Sequence, residues 1–121
     1  MDWRITCASL AEKKGIAMNL RTILSEFKGE AQRLYGARLK DIILYGSHAR
    51  GDANKESDID VLVVLEGKVV PGREIDRMID VITEINLRYD VLLAVVPVSE
   101  EEYSKVNSPL LINVRREGVP A

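Results

Sequence analysis

The chain has 121 residues, of which 46% are hydrophobic and 30% charged, so its size and composition are those of one globular domain rather than of a disordered chain. A net charge of -2 at pH 7 argues against binding to nucleic acid through a broad basic surface, and we expect no direct contact with nucleic acid. With one cysteine, Cys7, and one histidine, His48, an internal disulfide and a metal site built from cysteine or histidine clusters are excluded.

The N-terminal 17 residues show weak hydrophobic periodicity, and we expect a loosely ordered extension in front of a domain that spans residues 18–121. The extension contains no apolar run as long as that of a signal peptide. No segment of the sequence approaches the roughly 20 apolar residues that a membrane-spanning helix needs. We therefore expect a cytoplasmic protein that does not contact a membrane.

The first half of the domain is predicted to alternate helix and strand. Apolar residues at helical spacing after Asn19 predict a helix that stops at Gly36. An apolar run over residues 42–45 predicts a buried strand, and residues 47–51 fit a helical turn. After a polar loop, residues 58–65 are predicted to form a second strand, because they are rich in β-branched side chains.

The second half continues this alternation. Apolar residues on one face predict a helix over residues 74–88, and residues 90–97 are predicted to form a third strand. Ser99, followed by three glutamates, predicts a capped helix, and a last helix is predicted from Ser108 to Gly118. The order α-β-turn-β-α-β-α-α predicts an α/β (α+β) domain with a small mixed β-sheet flanked by helices.

The turn after the first strand has the features of a phosphate-binding segment. Gly46 lets the backbone approach a bulky anion, because no side chain stands in the way. Amides at the start of the next helical turn attract phosphate, and the Ser47 hydroxyl adds a donor, although Ser47 could also act as a helix N-cap. Arg50 either meets phosphate oxygens or locks the loop against a carboxylate. The absence of a Gly-Lys-Ser/Thr sequence excludes a Walker-type P-loop.

Two aspartates open the second strand. Asp58 and Asp60 are two residues apart, so their side chains leave the same face of the strand. Neighbouring carboxylates repel each other unless a cation neutralises them, and Mg²⁺ usually binds one or two carboxylates together with substrate phosphates. A phosphate-binding turn that faces a carboxylate pair predicts metal-assisted phosphoryl or nucleotidyl transfer. The alternative is that Asp58 caps the strand and Asp60 pairs with a basic neighbour.

The pattern Gly-Ser, ten residues, then Asp-x-Asp resembles the nucleotidyltransferase superfamily that shares its fold with DNA polymerase beta. More narrowly, residues 46–65 (GSHARGDANKESDIDVLVVL) and 99–118 (SEEEYSKVNSPLLINVRREG) are similar to the minimal nucleotidyltransferase (MNT) family, the antitoxin partners of HEPN-domain toxins. The resemblance covers residues 19–119. It implies the polymerase beta-like fold and a nucleoside triphosphate substrate, ATP in this family.

The resemblance also implies a role for each residue of the motif. Gly46 and Ser47 would bind the triphosphate, and Arg50 is placed with them as a nucleotide-binding residue. Asp58 and Asp60 would hold two Mg²⁺ ions as metal-binding and catalytic residues. An acceptor hydroxyl would then attack the α-phosphorus in line, with pyrophosphate as the leaving group.

Enzymes of the superfamily commonly use a third carboxylate on the next strand, and Asp90 is the candidate for this metal ligand and possible base. The resemblance places the expected acid about four residues further along, at Ala94, so Asp90 is equally an ordinary acid at the strand edge. His48 lies at a variable position of the motif, and we expect a solvated surface histidine.

Two functions remain open. The chain is either an enzyme that moves AMP from ATP to a hydroxyl of a HEPN toxin, or a binding antitoxin with a catalytically weak or inactive site. A transferase acting on small molecules is less favoured, because the chain has no residues for a second, acceptor-binding domain. A small sheet leaves the acceptor side of the site open, so we expect an oligomer with the partner or with itself. The apolar positions near the C-terminus are candidates for that contact or for the core: Leu110, Leu111, Ile112 and Val114.

Overall fold

The computed structural model describes residues 17–54 and 57–121, and the predicted N-terminal extension, up to residue 16, lies outside the described residues. The elements in chain order are α1 (Ala17–Tyr35), a 3-10 turn (Gly36–Arg38), β1 (Leu39–Tyr45), α2 (Ser47–Arg50), β2 (Ile59–Leu65), α3 (Pro71–Tyr89), β3 (Leu93–Ser99), α4 (Glu100–Lys105), α5 (Pro109–Glu117) and β4 (Val119–Pro120). None of these helices combines the length and the apolar character needed to cross a bilayer.

The strands form one mixed sheet in the order β3-β2-β1-β4. β1 runs antiparallel to β2 and to β4, whereas β2 and β3 are parallel and are connected through α3. This architecture confirms the predicted α+β domain with a small mixed sheet flanked by helices.

Helices cover the two faces of the sheet unequally. The larger apolar cluster lies between α1, α3 and one face, and it includes Phe27 and Met78, both fully buried. The smaller cluster packs Leu111 and Val114 of α5 against the other face. Because side chains alternate along a strand, β2 supplies both clusters and is buried almost throughout. It is the central strand of the fold.

Three predicted element starts differ from the structure by three residues each. The first strand begins at Leu39 rather than at residue 42. The third helix begins at Pro71 rather than at residue 74, because proline is suited to the first helical turn, where its missing N–H costs nothing. The same helix continues to Tyr89, and Asp90 is its C-cap in the left-handed conformation, with φ 53°. The third strand therefore begins at Leu93, and the prediction that it starts at residue 90 is wrong.

Asn86 explains where this helix ends. Its carbonyl accepts the N–H groups of Asp90 and Val91, and its side-chain oxygen accepts the Leu93 N–H at 2.9 Å. These bonds satisfy groups that a helix end leaves unpaired, and aspartate is one of the few residues that tolerate the left-handed conformation. The chain thus needs three residues to turn from α3 into β3.

The two C-terminal helices begin as the sequence predicts. Ser99 and Glu102 form a reciprocal capping box, and the Ser108 hydroxyl accepts the Leu111 N–H at 3.2 Å. Of the apolar residues of α5, Leu111 and Val114 are core, whereas Leu110 and Ile112 are 37% and 43% exposed.

Candidate active site

The motif lies where the end of β1 meets the start of β2. The antiparallel register pairs Tyr45 with Asp60, so Gly46 follows directly beside this aspartate. A Cβ atom at Gly46 would overlap the Asp60 Oδ2 and lie 3.2 Å from its Cγ. Gly46 also has φ 78°, a conformation that favours glycine. The close approach that the sequence predicts for the Gly46 backbone is therefore made to a carboxylate of the site.

Asp60 is partly buried and carries an unfavourable charge. Burial is the largest cause of the raised pKa of Asp60, and the neighbouring Asp58 carboxylate raises this pKa further. His48 and Arg50 lower it by smaller amounts. The pKa of Tyr45 is also raised, by burial and then by the charge of Asp60. Two adjacent carboxylates in a partly desolvated site disfavour their own ionisation, and a divalent cation would relieve this repulsion. The pair thus fits a hard cation such as Mg²⁺.

The third carboxylate does not stand on the neighbouring strand. The parallel register of β2 and β3 sets Ala94 opposite Asp60, and a methyl group occupies the expected position of the acid. Asp90 is exposed at the end of α3, three residues before β3 begins. Within residues 17–54 and 57–121, no three acidic, histidine or cysteine side chains are grouped as a metal site. The structure brings Asp58 and Asp60 together, and Asp90 as a third ligand stays a prediction.

Arg50 is held by carboxylates. Its Nε donates to Asp52 at 3.2 Å, and its Nη1 donates to the two oxygens of Glu117 at 3.2 and 3.4 Å. These hydrogen bonds raise the pKa of the guanidinium, which stays charged. Of the two roles predicted for Arg50, locking the loop against a carboxylate is the one observed, and contact with phosphate stays a prediction.

Ser47 is the first residue of α2, and Gly46 is the N-cap, without a side-chain capping bond. The alternative that Ser47 caps the helix is therefore wrong. The Ser47 carbonyl accepts the N–H groups of Gly51 and Asp52, which closes the turn. Its hydroxyl is thus not used as an N-cap for α2, and its role in binding a triphosphate remains a prediction.

Two residues of the site were missed by sequence reasoning. His48 is half-buried rather than solvated, and its Nε2 lies 3.3 Å from the Ser57 carbonyl, which ties α2 to the chain just before Asp58. Glu117, in the last turn of α5, accepts the Gly46 N–H at 3.3 Å in addition to its bonds with Arg50. The Arg-Glu-Gly sequence at the chain end gave no signal for this contact, since the partners are 67 residues apart.

Known proteins are similar to this chain in sequence and in fold. The chain matches the family model described as a nucleotidyltransferase domain over residues 24–119. Three proteins of Methanocaldococcus jannaschii, each named "putative protein adenylyltransferase", are similar to it. One is 40% identical over 102 residues, which cover 84% of this chain and 96% of the relative. Another is 36% identical over 78 residues, 64% of this chain and 77% of the relative. The third is 36% identical over 99 residues, 78% of this chain and 66% of the relative.

A solved structure, described as a toxin-antitoxin with AMP-PNP, has the same fold with a TM-score of 0.55. The match covers 78% of this chain and 68% of that one, at 18% sequence identity. At this identity the likeness concerns the fold.

Proposed function

The chain belongs to the nucleotidyltransferase domain family, and from this premise we propose that it moves AMP from ATP to a hydroxyl group of a partner protein in a Mg²⁺-dependent reaction. The observation that carries the proposal is the contact between Gly46 and Asp60, with Asp58 beside it. This arrangement sets a backbone position without a side chain, Gly46, against a carboxylate pair, which suits the binding of a metal-bound triphosphate.

In the proposed mechanism, Asp58 and Asp60 would hold the metal, and two ions are expected from the family. Mg²⁺, when bound there, would supply positive charge to the triphosphate and polarise the α-phosphoryl group. Gly46 leaves room for the phosphates, and the Ser47 hydroxyl donates to them. The acceptor oxygen forms its bond to the α-phosphorus while the bond to the β-phosphate oxygen breaks, and pyrophosphate leaves.

Asp90 is the proposed third carboxylate and acceptor of the hydroxyl proton. Asp90 is exposed at the end of α3 and lies outside β3, the strand whose residues pair with Asp60 and its neighbours. If Asp90 takes the proton, Asp90→Asn lowers kcat by roughly a hundredfold or more. An unchanged kcat would remove Asp90 from the mechanism.

The partner we propose is a HEPN-domain toxin, for which this chain is the antitoxin. The similarity of residues 46–65 and 99–118 to the MNT family supports this partner. The names of the archaeal relatives refer to adenylyl transfer to protein, and the structural neighbour is a toxin-antitoxin with AMP-PNP. These likenesses favour a protein hydroxyl over a small molecule as the acceptor.

The test is the intact mass of the toxin encoded beside this protein, after the two are produced together. Wild-type protein should add mass in AMP units to the toxin, and the double variant Asp58→Asn, Asp60→Asn should add none. The matched control is Asp76→Asn, Asp80→Asn, which removes two exposed aspartates from α3 and should transfer as the wild type does. A toxin without added mass in the presence of wild-type protein would contradict the proposed transfer.

A second candidate is a binding antitoxin that neutralises the toxin by complex formation. The observation that favours it is Ala94, which occupies the position beside Asp60 where the superfamily commonly has an acid. In the same experiment, an unmodified toxin that is neutralised equally by the wild type and by the double aspartate variant would establish this second function.

A further inference from the structure

The end of α5 is anchored tightly beside the motif. Gly118, which follows Glu117, packs so closely on β1 that a Cβ atom there would lie 2.5 Å from a methyl carbon of Ile43. The next two residues form β4 and pair with Leu44 and Ile43 of β1. On the other side of Glu117, Val114 is buried in the smaller cluster. Fixed backbone on both sides gives the Glu117 side chain a defined direction.

From this position, one carboxylate reaches two groups of the motif. Glu117 accepts the Gly46 N–H at 3.3 Å and the Arg50 Nη1 at 3.2 Å, and only 25% of its side chain is exposed. Hydrogen bonds in which the donor or the acceptor is charged are about twice as strong as neutral ones. Glu117 therefore holds the first residue of the turn and the last residue of α2 relative to each other.

The guanidinium is held in a fixed orientation as well. Asp52 accepts a hydrogen bond from its Nε and Glu117 from its Nη1, and within the described residues the Nη2 group has no acceptor and is left for a further ligand. The Asp52 contact is local and more exposed, at 61% of the side chain, and exposed ion pairs contribute little. Of the two carboxylates, Glu117 is the one that also binds Gly46 and so joins Arg50 to the start of the turn.

Resting on the proposed function, we propose that Glu117 is a positioning residue that orients Gly46 and Arg50 for the triphosphate. The C-terminal helix thereby supplies a part of the nucleotide site that no residue of the Gly-Ser and Asp-x-Asp motif provides. Glu117 does not touch the reacting atoms, so its loss should weaken nucleotide binding more than it lowers kcat.

The experiment measures binding of ATP with Mg²⁺ by calorimetry, without partner, for the wild type, Glu117→Ala and Glu117→Gln. Glu117→Ala should weaken binding by roughly tenfold, and Glu117→Gln, which keeps an acceptor oxygen, should recover part of this loss. Asp52→Asn is the matched control, because it removes the other carboxylate from Arg50 without affecting Gly46, and its effect should be less than about threefold. Transfer assays should show a raised KM for ATP at nearly constant kcat.

Nitrogen-15 NMR spectra provide the second measurement and need no nucleotide. The signals of the Gly46 amide and the Arg50 side chain should move in Glu117→Ala, while most other amides stay in place and show that the variant is folded. Glu117→Gln, which preserves the size of the side chain, gives the same test if the alanine variant unfolds.

Four results would overturn the inference. Unchanged Gly46 and Arg50 signals in both variants would mean that the contact is absent in solution. Tighter ATP binding by Glu117→Ala would mean that the carboxylate competes with phosphate instead of positioning its ligands. Equal affinity of wild type and variants would leave Glu117 with a structural role only. A wild type that binds no ATP would contradict the proposed function itself, and the inference with it.

Discussion

The contact between Gly46 and Asp60 can be tested at the level of one atom. Gly46→Ala places a Cβ atom on the Asp60 carboxylate, and we expect transfer to fall roughly a hundredfold because the Asp60 oxygen that we propose as a metal ligand must move. Gly51→Ala is the control for a positive φ: Gly51 has φ 83° and ψ 12°, in the left-handed region, and a Cβ atom there meets nothing within 4 Å. Gly51→Ala should lose about 1–2 kcal/mol of stability from backbone strain. Gly46→Ala should lose more, because φ 78° with ψ -155° is a conformation that is almost restricted to glycine. Equal loss of activity in an AMP-transfer assay would mean that strain, and not the Asp60 contact, is responsible.

Substitution of Asp60 should lower the activity of the protein and at the same time raise its stability. Its pKa is raised in the folded protein, so folding disfavours the ionised form, and its charge destabilises the fold at neutral pH. Asp60→Asn should therefore abolish transfer and yet raise the free energy of unfolding by up to about 1 kcal/mol at pH 7 without Mg²⁺.

This stabilisation has a defined pH window. It should decrease as pH falls through the raised pKa of Asp60 and disappear below the ordinary aspartate value of 3.8, where both states of the wild type bind the proton. Adding Mg²⁺ should raise the stability of the wild type relative to that of Asp60→Asn. Thermal unfolding at pH 7 and at low pH measures both effects, and a variant less stable than the wild type at pH 7 without metal would contradict the interpretation.

A buried polar pair joins α1 to α3. It lies near the start of β1, away from the motif, which follows the end of this strand. The Tyr35 hydroxyl, at the end of α1, donates to Glu74 Oε1 in α3 at 3.0 Å, and both residues are at most 6% exposed. Arg38 and Arg77 lie 3.9 Å from the same carboxylate. Every buried polar group here has a partner, so the pair fixes α1 against α3 without an unpaired charge.

Tyr35→Phe should reduce the free energy of unfolding by about 1–3 kcal/mol, because it leaves the buried Glu74 carboxylate without its neutral donor. Burial and Glu74 raise the pKa of Tyr35 from 10.0 to about 12. A raised pKa means that the folded state holds the proton, so this stability is complete below pH 10 and is lost as pH rises to about 12. Denaturant unfolding at pH 8 and pH 11 tests this, with Tyr103→Phe as the control. If Tyr35→Phe loses as much unfolding free energy between pH 8 and pH 11 as the wild type does, Tyr35 is excluded as the cause of that loss.

The register of β2 and β3 predicts a gain of activity. Ala94 stands opposite Asp60 on the face that carries both aspartates, so Ala94→Asp would supply a third carboxylate at the position where the superfamily commonly has one. If the missing acid limits turnover, kcat for AMP transfer should rise by on the order of tenfold. Ala94→Asn, of the same size and without charge, should not produce this gain. A kcat that stays at the wild-type value would mean that the lack of an acid at position 94 does not limit turnover.

At the scale of the whole molecule, α5 separates the core from a candidate partner surface. Leu111 and Val114 are buried, so truncation after Tyr103 would remove core residues and could not test partner binding alone. Leu110 and Ile112 are exposed and are the remaining candidates for contact with the toxin.

Leu110→Asp with Ile112→Asp should abolish copurification with the toxin while thermal unfolding stays near that of the wild type, because charges on an apolar contact oppose its burial. Leu87→Asp is the control, since this leucine is 80% exposed on α3 and belongs to a different helix. A double variant that still copurifies with the toxin would place the contact elsewhere on the molecule.

Several features of this protein follow from its sequence alone. The alternation of helix and strand, the caps at Ser99 and Ser108, and the closeness of Asp60 in β2 to Asp58 just before the strand depend on neighbours within about four residues. Such local preferences act in any context, so sequence patterns reveal them. The family motif from Gly46 to Asp60 belongs here as well, because its residues lie within one strand-turn-strand unit.

Other features were decided only by the tertiary structure. The helix cap at Asp90, the position of Ala94 beside Asp60, and the contact of Glu117 with Gly46 and Arg50 each depend on strand register or on helix packing. Which apolar residues of α5 are buried and which are exposed likewise depends on the orientation in which this helix packs on the sheet. Register and packing are set by pairing between distant segments and by the burial of the whole apolar surface, and no local pattern encodes them.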